Sequence, residues 1–305
     1  MPAYGLSSPR LLPLVPLAWT LACAPTPVPT EAPPSEAPAA SENPENAASG
    51  QSAAAKEAID AAVAGDHRSA ASRARDPQRH PAETLGFFGL EPGMTVVELW
   101  PGGGWYTELL AAVVKGEGKL ITTNFDTEAS DDPKDYRVRV GNAFNEKMAS
   151  DEVYAGVEVI TVRDPKALVL APAGSVDMVL TFRNSHNWIS DGVAGDVYGA
   201  AFQALRPGGV LGVVQHRAKA DDARPPEELA KTGYLREDSL IASIEAAGFV
   251  LEERSEINAN PRDTKDYEKG VWTLPPSFTL GDVDRDKYAA IGESDRMTLR
   301  FRKPG

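Results

Sequence analysis

The most constraining stretch of this chain is residues 95–110, TVVELWPGGGWYTELL. Its apolar start predicts a buried strand, Gly102, Gly103 and Gly104 predict a tight turn, and the residues from Tyr106 onward predict a helix. A strand, a glycine turn and a helix in this order place bare backbone and a helix N-terminus against a ligand. Residues 95–110 therefore predict a small-molecule site at the end of the first strand.

An acidic residue near the end of that strand, Glu98, narrows the choice of ligand. A carboxylate repels the pyrophosphate of a dinucleotide and attracts an ammonium group. The turn also lacks the last glycine of the dinucleotide pattern, because Thr107 stands in its place. We therefore expect Glu98 to lie at a site for a ligand that carries an ammonium group.

The order of the predicted elements indicates an α/β fold. Apolar or alternating segments predict strands at 95–99, 119–123, 157–162, 176–182, 210–215, 249–257 and 296–301. Helices are predicted between them, and the helix at 197–205 is followed by Arg-Pro-Gly-Gly, which predicts a helix stop and a sharp turn. Strands that alternate with helices before a final strand pair predict a doubly wound, Rossmann-like sheet of seven strands with an antiparallel final strand.

The sequence VELWPGGGW followed by KLITTNFD resembles the first two strands of class I S-adenosylmethionine-dependent methyltransferases. With FRNSHNW and DRMTLRFRKP, it is similar to a bacterial family of predicted methyltransferases across residues 68–303. The resemblance implies the class I fold, S-adenosylmethionine as cofactor, and methyl transfer to a small molecule or a protein side chain. One departure is Trp100, which stands at the first glycine position of the family's turn.

The resemblance also implies which residues hold the cofactor. The family places an acid at the end of the second strand for the ribose hydroxyls, and here Asn124 and Asp126 are both open for that role. Asp164 suits either the adenine amino group or a turn before Pro165. The expected cofactor-binding residues are Glu98, Gly102, Gly103, Gly104, Tyr106, Asn124, Asp126, Asp164 and Phe182.

Two of the four histidines follow neighbouring strands of the predicted sheet: His186 comes after the fourth strand and His216 after the fifth. Methyl transfer to a hydroxyl needs a positioned nucleophile and a group that removes its proton. His186 is the first choice for this base and His216 the second, with Arg183 and Asn187 beside them, although each histidine alone also suits a structural role. No spacing of ligands indicates a metal site.

Basic residues cluster ahead of the first strand, at Arg68, Arg73, Arg75 and Arg79. A run of this kind favours a solvated helix face. The alternative is a lid that covers the cofactor or meets an acidic substrate.

The formal net charge of −13 argues against nucleic acid as the main partner, because such proteins gather Lys and Arg. Residues 1–22 predict a signal peptide, with an apolar core at 11–22 that ends next to Cys23. This cysteine resembles the lipid-bearing residue of bacterial lipoproteins. Residues 23–55, rich in Pro, Ala and Glu, predict a disordered linker, and 56–305 the folded domain.

These features predict an exported protein anchored on the periplasmic side, or a cytoplasmic one if the leader is not functional. S-adenosylmethionine is charged and does not cross a membrane unaided, so export and this cofactor conflict. The alternative function is therefore a catalytically inactive, lipid-anchored binding protein on a methyltransferase fold.

Overall fold

The computed structural model describes residues 51–305. The predicted leader, Cys23 and the linker up to residue 50 lie outside the described residues. The folded part begins with helix α1 at Ala53, where the Ser52 hydroxyl accepts a hydrogen bond from the Ala55 amide at 3.0 Å. Within residues 51–305, every helix is too short or too polar to cross a membrane.

Seven strands and eleven α-helices make up the described part of the chain. The strands are β1 (Thr95–Leu99), β2 (Lys119–Phe125), β3 (Glu158–Val162), β4 (Val176–Phe182), β5 (Leu205–His216), β6 (Val250–Ser255) and β7 (Arg296–Arg302). The helices are α1 (Ala53–Ala64), α2 (Ala70–Arg73), α3 (Asp76–Arg79), α4 (Pro81–Phe88), α5 (Trp105–Val114), α6 (Tyr136–Met148), α7 (Ser185–Ser190), α8 (Ala194–Ala204), α9 (Pro226–Ala230), α10 (Glu237–Glu245) and α11 (Arg285–Ile291).

The strands form one sheet in the order β3-β2-β1-β4-β5-β7-β6. All neighbours pair in parallel except β7, which runs antiparallel to both β5 and β6. This confirms the predicted doubly wound sheet of seven strands with an antiparallel final strand, the class I methyltransferase fold.

Both faces of the sheet are covered, because successive side chains of a buried strand point to opposite sides. On β1, Val96 packs into the core formed with α1, α4 and α5, whereas Val97 and Leu99 pack into the core formed with α8 and α10. The apolar run that predicted β1 is therefore explained by burial on two faces.

The Arg-Pro-Gly-Gly segment differs from the expected turn. Helix α8 ends at Ala204 as the pattern predicts, but residues 206–209 belong to β5. The Gly208 amide donates to the Lys303 carbonyl and the Lys303 amide donates to the Gly209 carbonyl, both at 2.9 Å. The pairing with β4 shifts register between Val176 and Met178, so the segment is an irregular strand start.

The position of β1 decides where a ligand can bind. From β1 the chain continues to β2 on one side, while β4 lies on the other. In an open α/β sheet the crevice at such a switch point, outside the carboxyl ends of the strands, is the usual ligand site. The glycine turn after Leu99 lies at that point.

Gly212 lies in the central strand β5, where helix α4 packs closely on the sheet. An added Cβ there would lie 2.6 Å from Leu180 Cδ2 and 2.8 Å from the Phe88 ring. We expect Gly212→Ala to lower the free energy of unfolding by about 1–3 kcal/mol in urea titrations, through overpacking. The control Gly156→Ala, where an added Cβ meets open space, should change it by less than about 0.5 kcal/mol. Equal values for the two variants would contradict this packing.

Candidate functional site

The glycine turn leaves β1 in a left-handed backbone conformation at three residues. The φ angles are 44° at Trp100, 58° at Gly102 and 72° at Gly104. Gly103 lies between them with open space around the position of an added Cβ. The turn therefore presents bare backbone to the crevice, as the sequence predicts.

Two adjoining cavities open at this edge of the sheet. The larger, of 960 Å³, lies at the ends of β1, β4 and β5 and is lined by Gly102 and Gly103. The smaller, of 520 Å³, lies at the ends of β2 and β3. The two cavities share four lining residues, which are Trp100, Tyr136, Asn184 and Asn187.

Trp100 stands at the boundary between the cavities. Its ring packs on Trp188, with centroids 5.3 Å apart, and its backbone amide donates to the Thr123 hydroxyl at 2.8 Å. A non-glycine residue in the left-handed region costs about 1–2 kcal/mol. The packing of the indole and this hydrogen bond hold Trp100 at a position where the related family has glycine.

Glu98 lies beneath the turn and lines neither of these cavities. Its carboxylate accepts a hydrogen bond from the Thr107 hydroxyl at 2.5 Å, which ties β1 to α5. Burial raises the pKa of Glu98 to about 7, although Thr107, Lys147 and Arg183 oppose the shift. The expected contact between Glu98 and a ligand ammonium stays a prediction.

The polar residues at the ends of β2 and β3 make different contacts. The Asn124 amide donates to the Gly141 carbonyl at 3.0 Å and to Asn145 Oδ1 at 2.8 Å, so it fastens α6 to the sheet. Asp164 is exposed, and its carboxylate accepts a hydrogen bond from the Lys166 amide at 2.9 Å at the start of a short 3-10 helix. Among Asn124, Asp126 and Asp164, only Asp126 lines the smaller cavity.

Tyr106 and Phe182 form a stacked pair, with ring centroids 3.5 Å apart and planes 8° from parallel. Phe182 lines the larger cavity, whereas Tyr106 lies behind it and donates its hydroxyl to the Arg79 carbonyl at 3.3 Å. Phe182 therefore presents an aromatic face to the cavity, and Tyr106 supports it.

The structure brings His186 and His216 together on one wall of the larger cavity, with ring centroids 5.7 Å apart. The side-chain amide of Gln215 lies 3.2 Å from His186 Nδ1. Burial lowers the pKa of His186 to about 4, and the charge of Arg183 adds to the shift. Burial also lowers the pKa of His216, whose Nδ1 lies 2.5 Å from the Ser294 hydroxyl oxygen. Both rings are therefore neutral at pH 7, and each has one ring nitrogen with a free lone pair for a hydrogen bond or a proton.

Residues 183–187, which comprise the link after β4 and the first residues of α7, connect the two parts of the site. The Asn184 amide donates to the carbonyls of Leu99 at 2.9 Å and Trp100 at 3.1 Å, which fixes the glycine turn against β4. Asn187 is exposed and lines both cavities. Arg183 lines the larger cavity with a φ angle of 65°.

The structure corrects the interpretation of the arginines that precede β1. Arg68 and Arg79 are 2% exposed, so a solvated helix face is the wrong interpretation for them. Glu293 accepts hydrogen bonds from Arg75 and Arg79, and both arginines line the larger cavity. Sequence reasoning missed Glu293, because its partners lie 214 to 218 positions earlier in the chain and no local pattern marks the pairing.

The side chains around the two cavities form a polar cleft. Within residues 51–305, no group of three or more His, Cys, Asp or Glu side chains is arranged to hold a metal ion. The cleft offers bare backbone, a carboxylate, an aromatic face, two neutral imidazoles and guanidinium groups. Such a set can bind a polar small molecule and accept a proton from a second one.

Comparison with solved structures supports the fold. A geranyl diphosphate methyltransferase in complex with S-adenosylmethionine aligns with a TM-score of 0.51 at 13% identity, covering 80% of this chain and 94% of its own. A methyltransferase dependent on S-adenosylmethionine from Aquifex aeolicus gives 0.49 at 18% identity, covering 75% and 93%. Neither a protein-family model nor a curated protein sequence matches the chain. At 13% identity, the likeness to the geranyl diphosphate methyltransferase shows a shared fold.

The raised pKa of Glu98 makes stability depend on pH. The pKa of Glu98 is 4.5 in the unfolded chain, and below this pH Glu98 is protonated in both the folded and the unfolded state. As the pH rises toward 7, Glu98 ionises first in the unfolded chain, so the folded state loses stability. Glu98→Gln cannot ionise. Its advantage over wild type in the free energy of unfolding should grow by roughly 2 kcal/mol from about pH 5.5 to about pH 8.

Urea titrations at the two pH values provide this measurement. The control is Glu117→Gln, which removes an exposed carboxylate in the loop before β2 and should show a difference independent of pH. If Glu98→Gln keeps the pH dependence of wild type, Glu98 does not titrate as a buried carboxylate.

Proposed function

We propose that this chain is a methyltransferase that uses S-adenosylmethionine and acts on a small molecule. The observation that carries the proposal is the pair of adjoining cavities at the switch point between β2 and β4, one lined by the glycine turn and the other by Asp126. The shared fold and the resemblance of residues 95–126 to this class of enzyme support it.

The residues present fit the two ends of this cofactor. Asp126 offers two oxygens to a pair of ribose hydroxyls, and Phe125, Tyr136 and Trp188 give the smaller cavity aromatic walls for an adenine ring. The bare backbone of Gly102 and Gly103 suits the methionine end. Trp100 at the boundary between the two cavities is a poor match, and Glu98, Asn124 and Asp164 line neither cavity.

The proposed chemistry divides between cofactor and chain. S-adenosylmethionine supplies a methyl group activated by a positively charged sulfur. The face of Phe182, supported by Tyr106, attracts such a cation. His186, neutral because burial lowers its pKa to about 4, accepts the proton of an acceptor hydroxyl. His216 is the second candidate for that role.

Residues 1–22 act in this proposal as an export leader, and Cys23 carries the lipid that anchors the protein on the periplasmic side. Lipid labelling in cells tests this: wild type should incorporate labelled fatty acid, and Cys23→Ala should not. Label in neither protein would place the domain in the cytoplasm, where the cofactor is made. Label in wild type would require a supply of S-adenosylmethionine outside the cytoplasm.

Calorimetric titration of the full chain with S-adenosylmethionine tests the function. We expect micromolar binding, and no binding of NAD, because Thr107 stands where the dinucleotide turn has its last glycine. Gly103→Ala should weaken binding about tenfold or more without changing the melting temperature, since its methyl group enters the cavity and strains nothing.

Gly156→Ala is the matched control, because it adds the same methyl group far from the glycine turn, in open space. It should keep both the affinity and the melting temperature of wild type. Failure of the wild-type chain to bind S-adenosylmethionine would overturn the proposed function and favour the inactive, lipid-anchored binding protein.

A further inference from the structure

One wall of the larger cavity carries more positive than negative charge. Glu293 accepts hydrogen bonds from Arg75 Nε at 2.8 Å, Arg79 Nε at 3.1 Å and Arg296 Nη1 at 2.9 Å. Arg183 belongs to the same group, since its charge affects the pKa values of both Arg79 and Glu293. Four guanidinium groups therefore surround a single carboxylate. Of these five residues, called the arginine wall below, all but Arg296 line the cavity.

Glu293 and Arg183, two members of the arginine wall, are ionised at neutral pH. Burial raises the pKa of Glu293, but the charges of Arg79, Arg296 and Arg75 outweigh it and lower the pKa to about 2. Burial lowers the pKa of Arg183 to about 10, which still leaves it cationic. The wall thus has a formal surplus of positive charge.

Two members of the wall that line the cavity each carry a donor without a partner among the described residues. Nη1 of Arg79 and Nη1 of Arg183 are buried, and neither has a hydrogen-bond partner within residues 51–305. The Arg183 side chain makes no ion pair with any residue that the structure describes. Buried, unpaired donors on a cation destabilise a fold, so their presence in a cavity indicates a ligand that pairs with them.

We propose that the methyl acceptor is a small organic acid whose carboxylate binds between Arg183 and Arg79. This inference rests on the proposed function, because it assigns the second substrate of the same cleft. A carboxylate accepts hydrogen bonds from two guanidinium groups at once, and it offsets the surplus charge of the arginine wall.

The charges near the glycine turn explain why this anion belongs to the acceptor and not to the cofactor. Lys147, which donates to the Gly103 carbonyl, pairs with Glu108 at 2.5 Å. Arg68 pairs with Asp76 at 2.7 Å and lies 3.5 Å from Glu108. Two cations and two carboxylates balance there, which suits a zwitterionic methionine end.

The arginine wall, in contrast, repels an ammonium group and a positively charged sulfur. An acid bound against it offsets part of the wall's surplus charge and supplies a negative charge near the cationic cofactor. The positive charge of the arginine wall therefore favours an anionic methyl acceptor beside the cationic cofactor.

Apolar residues that line the same cavity fit the rest of the acid. Val271, Trp272, Pro275 and Pro276 line it with apolar surface, and the Trp272 ring lies 5.9 Å from the ring of His186. An acid with an aromatic or apolar body can pack there while its carboxylate meets Arg183. Its nucleophilic atom then lies on the side of the neutral histidines.

The test compares three acids with their primary amides: benzoate, phenylacetate and 4-hydroxybenzoate. Binding to the full chain, saturated with S-adenosylhomocysteine, is measured by calorimetry at about pH 7.5. We expect wild type to bind the acids about tenfold more tightly than the amides, because hydrogen bonds to a charged group are the stronger ones. In Arg183→Gln the ratio of the affinity for the acid to the affinity for its amide should fall to nearly one.

Arg254→Gln is the matched control, because it removes an arginine that is 57% exposed in its side chain and lines neither cavity. Its preference for acids should equal that of wild type. Equal binding of all three acids and their amides to wild type would overturn the inference, as would an equal loss of preference in both variants.

A second comparison identifies the source of the anion. S-adenosylhomocysteine carries a carboxylate and 5′-methylthioadenosine does not, and both are titrated into wild type and Arg183→Gln. Equal affinities in the two proteins support an acid acceptor. A loss of about tenfold for S-adenosylhomocysteine alone would show that Arg183 holds the cofactor's carboxylate and would overturn the inference.

The two proposals can fail separately. If wild type binds neither nucleoside, the proposed function fails, and the preference for acids is then measured on the free protein. The melting temperature of Arg183→Gln also distinguishes a ligand-binding role from a structural one. It should equal or exceed that of wild type, because the variant removes an unpaired buried charge; a large fall would mean that Arg183 holds the fold together.

Discussion

The structure depends on one constraint, the position of β1 between β2 and β4. Because β2 and β4 lie on opposite sides of β1, the connections that follow these strands leave a crevice at their carboxyl ends. The Asn184 amide holds the carbonyls of Leu99 and Trp100, so the turn after β1 is fixed to the segment after β4. The glycine turn, the histidines and the unpaired arginine all take their places from this pairing.

Much of the fold could be predicted from the sequence, because local patterns carry it. Burial of β1 on two faces produces its apolar run, and the glycines produce the turn. His186 and His216 could be placed on one wall from strand order alone. The choice between Asn124 and Asp126 could not be made, since it depends on whether α6 packs close enough for Asn124 to reach Gly141 and Asn145. No short pattern records that packing.

The arginines illustrate the same limit more strongly. Arg68 and Arg79 look like a solvated face, but both are buried. Arg68 pairs with Asp76, eight residues later, whereas Arg79 pairs with Glu293, 214 residues later. The arrangement also has a cost in stability, since it buries more cations than carboxylates around one cavity. Groups that destabilise a fold in this way are typical of sites kept for a ligand. Glu98, ionisable and buried under the turn, is a second example in the same crevice.

The pairing of Glu293 with Arg75 and Arg79 also affects the order of folding. It joins a segment ahead of the first strand to one that immediately precedes the last strand, over more than two hundred residues. The cavity wall therefore depends on a residue that comes after β6 and just before β7 in the chain. Such distant contacts give a high contact order and slow folding. During synthesis, the chain would complete its sheet from β1 to β5 well before it acquired a finished binding site.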